Sequence, residues 1–391
     1  MPNPAINNEF VQRACDLARQ GIALASPNPH VGAIIVDSQS NVAGTGVYTY
    51  AAMKHAEILA LEQAGEKARG GTLYINLEPH SHQGRTPPCT DALIAAGIRC
   101  VVASMADPNP KVSGRGFEKL RTAGVLVHVG QLEAVARRLN EAFARYIRDG
   151  VPLVTLKSAM TLNGKIAPPP AEGLPRAEGV PAGGWITGEE ARAHVHEQRH
   201  QSDAILLGIG TILADDPLLT DRSGRPRRRP LLRVVLDSRL RLPLESRLVQ
   251  SATNEGQGRN DVLVFCSSGE ESKKKELEKR GILVERLPQV AGGRPDIREI
   301  VRRLGQLEIT SVMVEGGTSV NGIALDSGVV DKIFLYYAPK IMAGSGSVPF
   351  ASGAGFEQNH KTIQLKHPHL HIYGQDFAVE AYLRDPYGDG E

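Results

Sequence analysis

Apolar residues recur along this chain in two rhythms, and the switching between them lays out most of its elements. Phe10, Val11, Ala14, Leu17, Ala18 and Ile22 fall at helical spacing over 8–22, and the apolar run 31–37 that follows is typical of a buried strand. A helix over 55–68, a strand over 72–77, a helix over 89–96 stopped by Gly97, and a strand over 99–105 continue the series. Part of 116–129 reads as a weaker strand. Residues 131–147 read as a helix, with Leu132, Val135, Leu139, Phe143 and Tyr146 on one stripe. Asp149-Gly150-Val151-Pro152 punctuates its end, which places a domain boundary there and gives domains at 1–149 and 150–385.

Beyond that boundary the same alternation resumes. Strands are expected near 153–159, 203–210, 232–237, 261–267, 282–287, 311–315 and 331–339, interleaved with helices near 188–200, 271–280, 296–305 and 318–327. Each half therefore has the rhythm of a layered α/β domain. The stretch Ala167 to Gly184, rich in Pro, Ala and Gly, is read as a loop insert, and no internal repeat is visible.

Composition narrows the field. A chain of 391 residues, 41% hydrophobic and 23% charged, can bury sizeable cores. No basic stretch with an apolar h-region opens it, and no run of apolar residues is long enough to span a bilayer, so a cytoplasmic enzyme with no membrane partner is expected. Four scattered cysteines, Cys15, Cys89, Cys100 and Cys266, do not make a disulfide framework. A net charge of +2 lacks the basic excess of a nucleic-acid binder. The run Arg222-Ser223-Gly224-Arg225-Pro226-Arg227-Arg228-Arg229 is the local exception, either a solvated loop or a complement to a phosphorylated ligand.

The candidate chemistry starts at His55-Ala56-Glu57, each end of which carries a functional side chain. Pro79-His80 follows a strand, and Cys89 opens the next helix, so ligand-type groups meet at two adjacent helix starts. The pattern resembles the zinc deaminases, in which a His and two Cys hold the metal while an unligated Glu moves protons. Here the first Cys position reads His80. Imidazole binds zinc at about 2.0–2.1 Å and thiolate near 2.3 Å, so a two-His, one-Cys set is chemically sound. The helix dipole and the metal would both favour Cys89 as thiolate, and zinc would lower the pKa of its water toward about 7.

Longer stretches carry a closer resemblance. Pro27-Asn28-Pro29-His30-Val31-Gly32, His55-Ala56-Glu57, Thr72 through Cys89 and Asp107-Pro108-Asn109-Pro110 resemble the bifunctional riboflavin-biosynthesis deaminase/reductases, with the family's eight residues kept between positions 80 and 89. Lys157 through Ala167, Trp185-Ile186-Thr187, Gly210 through Thr220 and Val314-Glu315-Gly316-Gly317-Thr318 resemble the reductase half. The resemblance implies a cytidine-deaminase-like three-layer α/β/α domain followed by a dihydrofolate-reductase-like α/β domain. It implies zinc on His55, His80 and Cys89, with Glu57 as proton shuttle, and NADPH as the second cofactor. Ala159, Trp185, Thr211, Asp215, Ser238 and Gly317, Thr318, Ser319, Val320, Asn321, Gly322 and Ile323 match NADP positions; Gly183, Arg199, Leu219, Arg222 and Glu315 match substrate positions.

Physical argument agrees at two of these places. Gly316-Gly317-Thr318 ends a strand and begins a helix whose free N–H groups suit a phosphate, and the guanidinium groups of Arg199 and Arg222 suit a ribose phosphate. Gly208-Ile209-Gly210 is no Rossmann fingerprint, because Leu213 stands where the third glycine belongs. Asn163 stands where the family usually has Asp, and the 168–184 insert is longer than expected. The implied activity is zinc-dependent deamination of 2,5-diamino-6-(5-phosphoribosylamino)pyrimidin-4(3H)-one, then NADPH reduction of the ribosyl chain of the resulting uracil to ribityl, in a homodimer. Two alternatives stay open: a reductase with a degenerate deaminase half, and a nucleic-acid-directed deaminase or binding module.

Overall fold

A computed structural model describes residues 6–82, 87–169, 184–253, 260–290, 292–353 and 362–388. The chain divides into two compact units, one of Met1–Gly150 with Pro226–Arg229, the other of Val151–Arg225 with Pro230–Glu391. The expected Gly183 contact, most of the 168–184 insert and the Gly84-Arg85-Thr86 part of the zinc-site loop lie outside the described residues.

In the first unit a five-stranded sheet has the order β2-β1-β3-β4-β5, formed by β1 (Gly32–Val36), β2 (Val42–Val47), β3 (Thr72–Ile75), β4 (Cys100–Ala103) and β5 (Leu126–Val129). Strand β1 is buried along its whole length, and its alternation serves two faces. Ala33 and Ile35 join the core under α2 (Ala56–Ala64), α3 (Cys89–Ala95) and α4 (Arg115–Thr122), while Ile34 and Val36 join the core under α1 (Asn8–Arg19). Helix α5 (Glu133–Asp149) packs beside α1, completing three layers.

Strand β2 was not visible in the apolar pattern, because its Gly44 and Gly46 are required by close packing. A Cβ on Gly46 would lie 2.0 Å from the Ala56 carbonyl oxygen, and one on Gly44 would lie 2.1 Å from that of Ala60. Helix α2 thus rests directly on the strand, which fixes the height at which His55 and Glu57 sit. The expected strand within 116–129 is a helix and a strand: Phe117 and Leu120 bury one face of α4, and only 126–129 is extended.

The second unit is built on a nine-stranded sheet. Its strands are β6 (Leu153–Thr161), β8 (Ala204–Gly208), β9 (Leu232–Leu236), β10 (Val262–Cys266), β11 (Ile282–Arg286), β14 (Ser311–Val314), β15 (Lys332–Ala338), β17 (Lys366–Tyr373) and β18 (Asp376–Tyr382). The short β7 (Lys165–Ala167) pairs with β16 (Val348–Pro349), and β12 (Gln289–Val290) with β13 (Arg294–Pro295). The order is β11-β10-β9-β8-β14-β6-β15-β18-β17, parallel as far as β15 and antiparallel at the β18 and β17 end. Ala204 and Leu206 of β8 face the core that holds α10 (Ile297–Gln306) and α11 (Thr318–Asp326). Ile205 and Leu207 face the core of α7 (Ile209–Asp215), α8 (Arg247–Thr253) and α9 (Glu271–Lys279). Helix α6 (Glu189–Gln201) covers Phe334 and Tyr336 of β15.

Candidate active sites

His55 caps the N-terminus of α2 without using its side chain as a cap, so the imidazole is available to the cleft beside it. Cys89 is the first residue of α3 after Pro88, and the Thr90 N–H donates to the His80 carbonyl, joining the two ligand segments. Ligand atoms of His55, His80 and Cys89 all lie within 4.8 Å of one another, with His55 Nδ1 3.0 Å from Cys89 Sγ. The His55 and His80 rings are 4.9 Å apart, and His82 lies 4.2 Å beyond His80. His80 Nδ1 is buried with no partner among the described residues. An orphaned buried nitrogen beside an imidazole and a thiol is what a tetrahedral metal site leaves when described by its protein atoms alone. The donor set therefore fits zinc.

The electrostatics agree. Burial, and then the neighbouring His55 and His82, pull His80 down to about 4, so its ring is neutral at pH 7, the form that ligates. Burial and then the Glu57 charge push the Cys89 thiol well above its ordinary range, and a divalent cation would reverse that balance. Glu57 is only 3% exposed and hydrogen-bonds with Cys89, close to the cluster without belonging to it.

These groups form the floor of a cleft of about 270 Å³, walled by Asn28, Tyr48, Tyr50, Asp107, Asn109, Phe143 and Ile147 among others. Two buried networks hold its shape, and neither was legible in the sequence. Glu78 accepts from the N–H groups of Asp107, Gly114 and Gly116 at 2.7–3.0 Å, tying the ligand loop to the opposite wall. His30 is held through its own N–H by Asn140 Oδ1 at 2.8 Å, while its carbonyl accepts from Asn76 and Asn140. Asn140 departs from helical geometry, kinking α5 at the point where it meets His30. The signal that could have marked these residues is a polar side chain inside an apolar stripe. Asp107, quoted for its resemblance but given no role, is pushed up to about 6 by burial and then by the Glu78 charge.

In the second unit Glu315 directly follows β14 and receives Arg199 through both carboxylate oxygens, at 2.7 and 3.0 Å, and Lys157 at 3.3 Å. Burial works to raise the Glu315 pKa, but the Arg199 and Lys157 charges outweigh it and bring the carboxyl down to about 2. Arg199 is therefore already engaged by its fork, and Arg222, which is exposed, is the guanidinium turned to solvent. The charges of Arg199, Arg222, Lys157 and Glu315 all act on His196, which places the expected substrate residues in one neighbourhood. Lys157 was quoted in a motif without a role; its ammonium completes the cluster and lies 5.9 Å from the Tyr336 ring. Elsewhere the arginine run is engaged: Arg225 pairs with Glu197, and Arg228 belongs to the first unit, 3.4 Å over the Tyr50 ring.

Gly317 caps α11, and Gly316 sits so close to Val320 and Asn321 that a Cβ would lie 2.7–2.8 Å from them. Thr211 of α7 faces that turn, its Oγ1 3.9 Å from where a Gly317 Cβ would be. Thr318 Oγ1 donates to Ser352 at 3.0 Å, and Asn321 Nδ2 donates to the Phe350 carbonyl. Ile323 packs against the core through α11. Trp185 is 48% exposed with the Arg192 guanidinium 4.9 Å over its ring. Ala159 lies on β6, Asp215 ends α7, Leu219 is buried, and the Ser238 carbonyl accepts from Ser267 and Ser268. Asn163 uses both ends of its amide, Nδ2 donating to the Met342 carbonyl at 3.0 Å and Oδ1 accepting from Thr161 and Met342. An aspartate there could not make the first of these bonds.

Comparison with known proteins agrees with both halves. The family described as cytidine and deoxycytidylate deaminase zinc-binding region matches residues 5–105, and the RibD C-terminal domain matches residues 152–379. The class is thus a two-domain enzyme that joins a zinc-binding deaminase to an NADPH-dependent reductase. Riboflavin biosynthesis protein RibD of Actinobacillus pleuropneumoniae is 37% identical over 378 residues, covering 97% of this chain and 96% of that protein. The Escherichia coli (strain K12) protein of the same name is 37% identical over 381 residues, covering 95% and 97%. Among solved structures, Acinetobacter baumannii RibD has a TM-score of 0.79 at 32% identity, covering 96% of this chain and 98% of that one. A Thermotoga maritima diaminohydroxyphosphoribosylaminopyrimidine deaminase/5-amino-6-(5-phosphoribosylamino)uracil reductase has a TM-score of 0.77 at 33% identity, with the same coverage. The chain belongs to the RibD family of bifunctional riboflavin-biosynthesis enzymes.

Proposed function

We propose that residues 1–149 deaminate 2,5-diamino-6-(5-phosphoribosylamino)pyrimidin-4(3H)-one and that residues 150–385 reduce the ribosyl chain of the product to ribityl with NADPH. The observation that carries the deaminase half is the convergence of His55, His80 and Cys89 beside a buried Glu57. These three side chains would hold zinc, which when bound supplies Lewis acidity and a water acidified toward a pKa of about 7. Glu57 would hold the proton taken from water and deliver it to the ring nitrogen and then to the departing amine. The amidine C–N bond breaks, the water oxygen stays on carbon, and ammonia leaves. Asn28, Tyr48 and Phe143 would orient the ring and exclude other water.

In the reductase half the Gly316-Gly317 turn and the α11 N-terminus support a cofactor phosphate, with Thr211 and Trp185 beside the nucleotide. Arg222 supports the substrate phosphate, while Glu315 and Arg199 orient the ribosyl chain. Hydride comes from the cofactor, so the protein's part is position. A homodimer is supported by edge strand β17, whose Leu370 and Ile372 are 65% and 67% exposed. No helix among the described residues is long and apolar enough to cross a membrane.

Purified full-length chain, assayed for zinc content, for ammonia released from the diaminopyrimidine, and for NADPH oxidation with the deaminated substrate, tests the assignment. Stoichiometric zinc with both activities is expected. NADPH oxidation without zinc or ammonia would reduce the protein to its reductase half, and ammonia released only from nucleic acid would give it the other substrate class.

A further inference from the structure

The unusual member of the metal cluster is His80, and its chemistry differs from the residue type that zinc deaminases place there. Those enzymes hold the metal with one His and two Cys, or with three Cys. Two thiolates cancel the charge of a divalent cation. The set here, His55, His80 and Cys89, contains one thiol, and its two imidazoles are neutral donors, so a bound divalent ion would keep one positive charge. Thiolate is the soft donor that favours thiophilic metals, while imidazole suits zinc, iron, copper and nickel.

No second thiol joins the cluster. The remaining cysteines, Cys15, Cys100 and Cys266, are buried elsewhere: Cys15 on α1, Cys100 on β4 and Cys266 in the second unit. Among the acidic groups lining the cleft, Glu78 is occupied by three backbone N–H donors and Asp107 accepts from the Asn109 N–H, while Glu57 is the carboxylate that hydrogen-bonds with Cys89. His80 itself is shaped for the role, with Nδ1 buried and without a partner among the described residues, and its ring between those of His55 and His82.

We infer that His80 makes this a single-thiolate, net-positive centre that favours borderline cations such as Zn²⁺ and Co²⁺ over soft Cd²⁺, in contrast to the two-thiolate centres of zinc deaminases. This rests on the reading of His55, His80 and Cys89 as the metal ligands. It also assigns Glu57 a second part, as the counter-charge that retains the metal.

The test uses the full-length chain stripped with chelator and reloaded with Co²⁺, Zn²⁺ or Cd²⁺. Native protein is expected to take one equivalent of Co²⁺ with the near-ultraviolet charge-transfer band of one thiolate, and X-ray absorption of the zinc form should show one sulfur scatterer. His80→Cys is expected to raise that band about twofold, one thiolate against two, and to move the Zn²⁺/Cd²⁺ preference toward Cd²⁺ by on the order of tenfold. Two sulfur scatterers in native protein, or an unaltered band and preference in a His80→Cys protein whose circular dichroism matches the native one, would overturn the inference while leaving a metalloenzyme. Failure of the native chain to bind Co²⁺ or Zn²⁺, or binding unaffected by Cys89→Ser, would instead overturn the ligand reading beneath it. The native-protein spectra need no variant to fold.

Discussion

The two units each bury a cluster of ionisable side chains, and the clusters differ in whether they are complete. Around Glu315 every charge has an opposite within hydrogen-bond reach, and the carboxyl is held down to about 2 by Arg199 and Lys157 acting against burial. Around Cys89 the sum does not close: His80 Nδ1 has no partner among the described residues, and the thiol is pushed up by burial and by Glu57. A closed cluster is a scaffold that orders itself before any ligand arrives. An open one is specific for a missing positive charge. Burial alone would have made the two look alike.

That difference can be broken most severely at Glu57. Glu57→Gln is expected to lower ammonia release by about 10²–10⁴-fold, since proton transfer is removed while the three ligands stay. Steady-state ammonia assays beside metal analysis check this, and a variant that keeps its rate would show that Glu57 only fills space. Next comes the closed cluster. Glu315→Ala leaves two cations buried without an anion, and chemical denaturation should show a loss of about 3–5 kcal/mol; Glu315→Gln should lose less. A third variant, Asn140→Ala, removes the acceptor of the His30 N–H and one of the two side-chain donors to its carbonyl, expected to cost about 1–3 kcal/mol and to raise KM in the deaminase assay.

The finest contrast lies in pH. Glu315 is lowered from its ordinary 4.5 to about 2, so its stabilisation is fully present above 4.5 and is lost as pH falls toward 2. Asp107 is raised from 3.8 to about 6, so its contribution runs the other way, present below 3.8 and lost as pH rises through 6. Unfolding midpoints measured from pH 3 to 8 should show the second trend in native protein and not in Asp107→Asn. A profile identical in the two proteins would detach that trend from Asp107.

The sequence was most readable where one local rule decided the outcome. Strand β8 alternates into two cores, and the His55, Glu57, His80 and Cys89 spacings are carried by helix starts close in the chain. Reading failed where distant segments impose the requirement. Gly44 and Gly46 look like turn residues until α2 is laid on them. The β17–β18 hairpin was missed: the outer strand carries only Leu370 and Ile372 as aliphatic residues among its histidines, and both are exposed. Asn140 reaches His30 across 110 positions, and the Lys157–Glu315 pair spans 158. Such partners leave no local trace beyond a polar side chain where burial is expected.

The four residues Pro226–Arg229 belong to the first unit although more than seventy residues of the second precede them in the chain. The Arg228 N–H donates to the Ala23 carbonyl, Arg229 donates to Ser26 Oγ, and the Arg228 guanidinium covers Tyr50, a wall residue of the deaminase cleft. The polypeptide therefore passes between units three times rather than once. A chain cut after residue 150 would lose the segment that supplies these contacts, so the first unit is completed by residues that lie within the sequence span of the second.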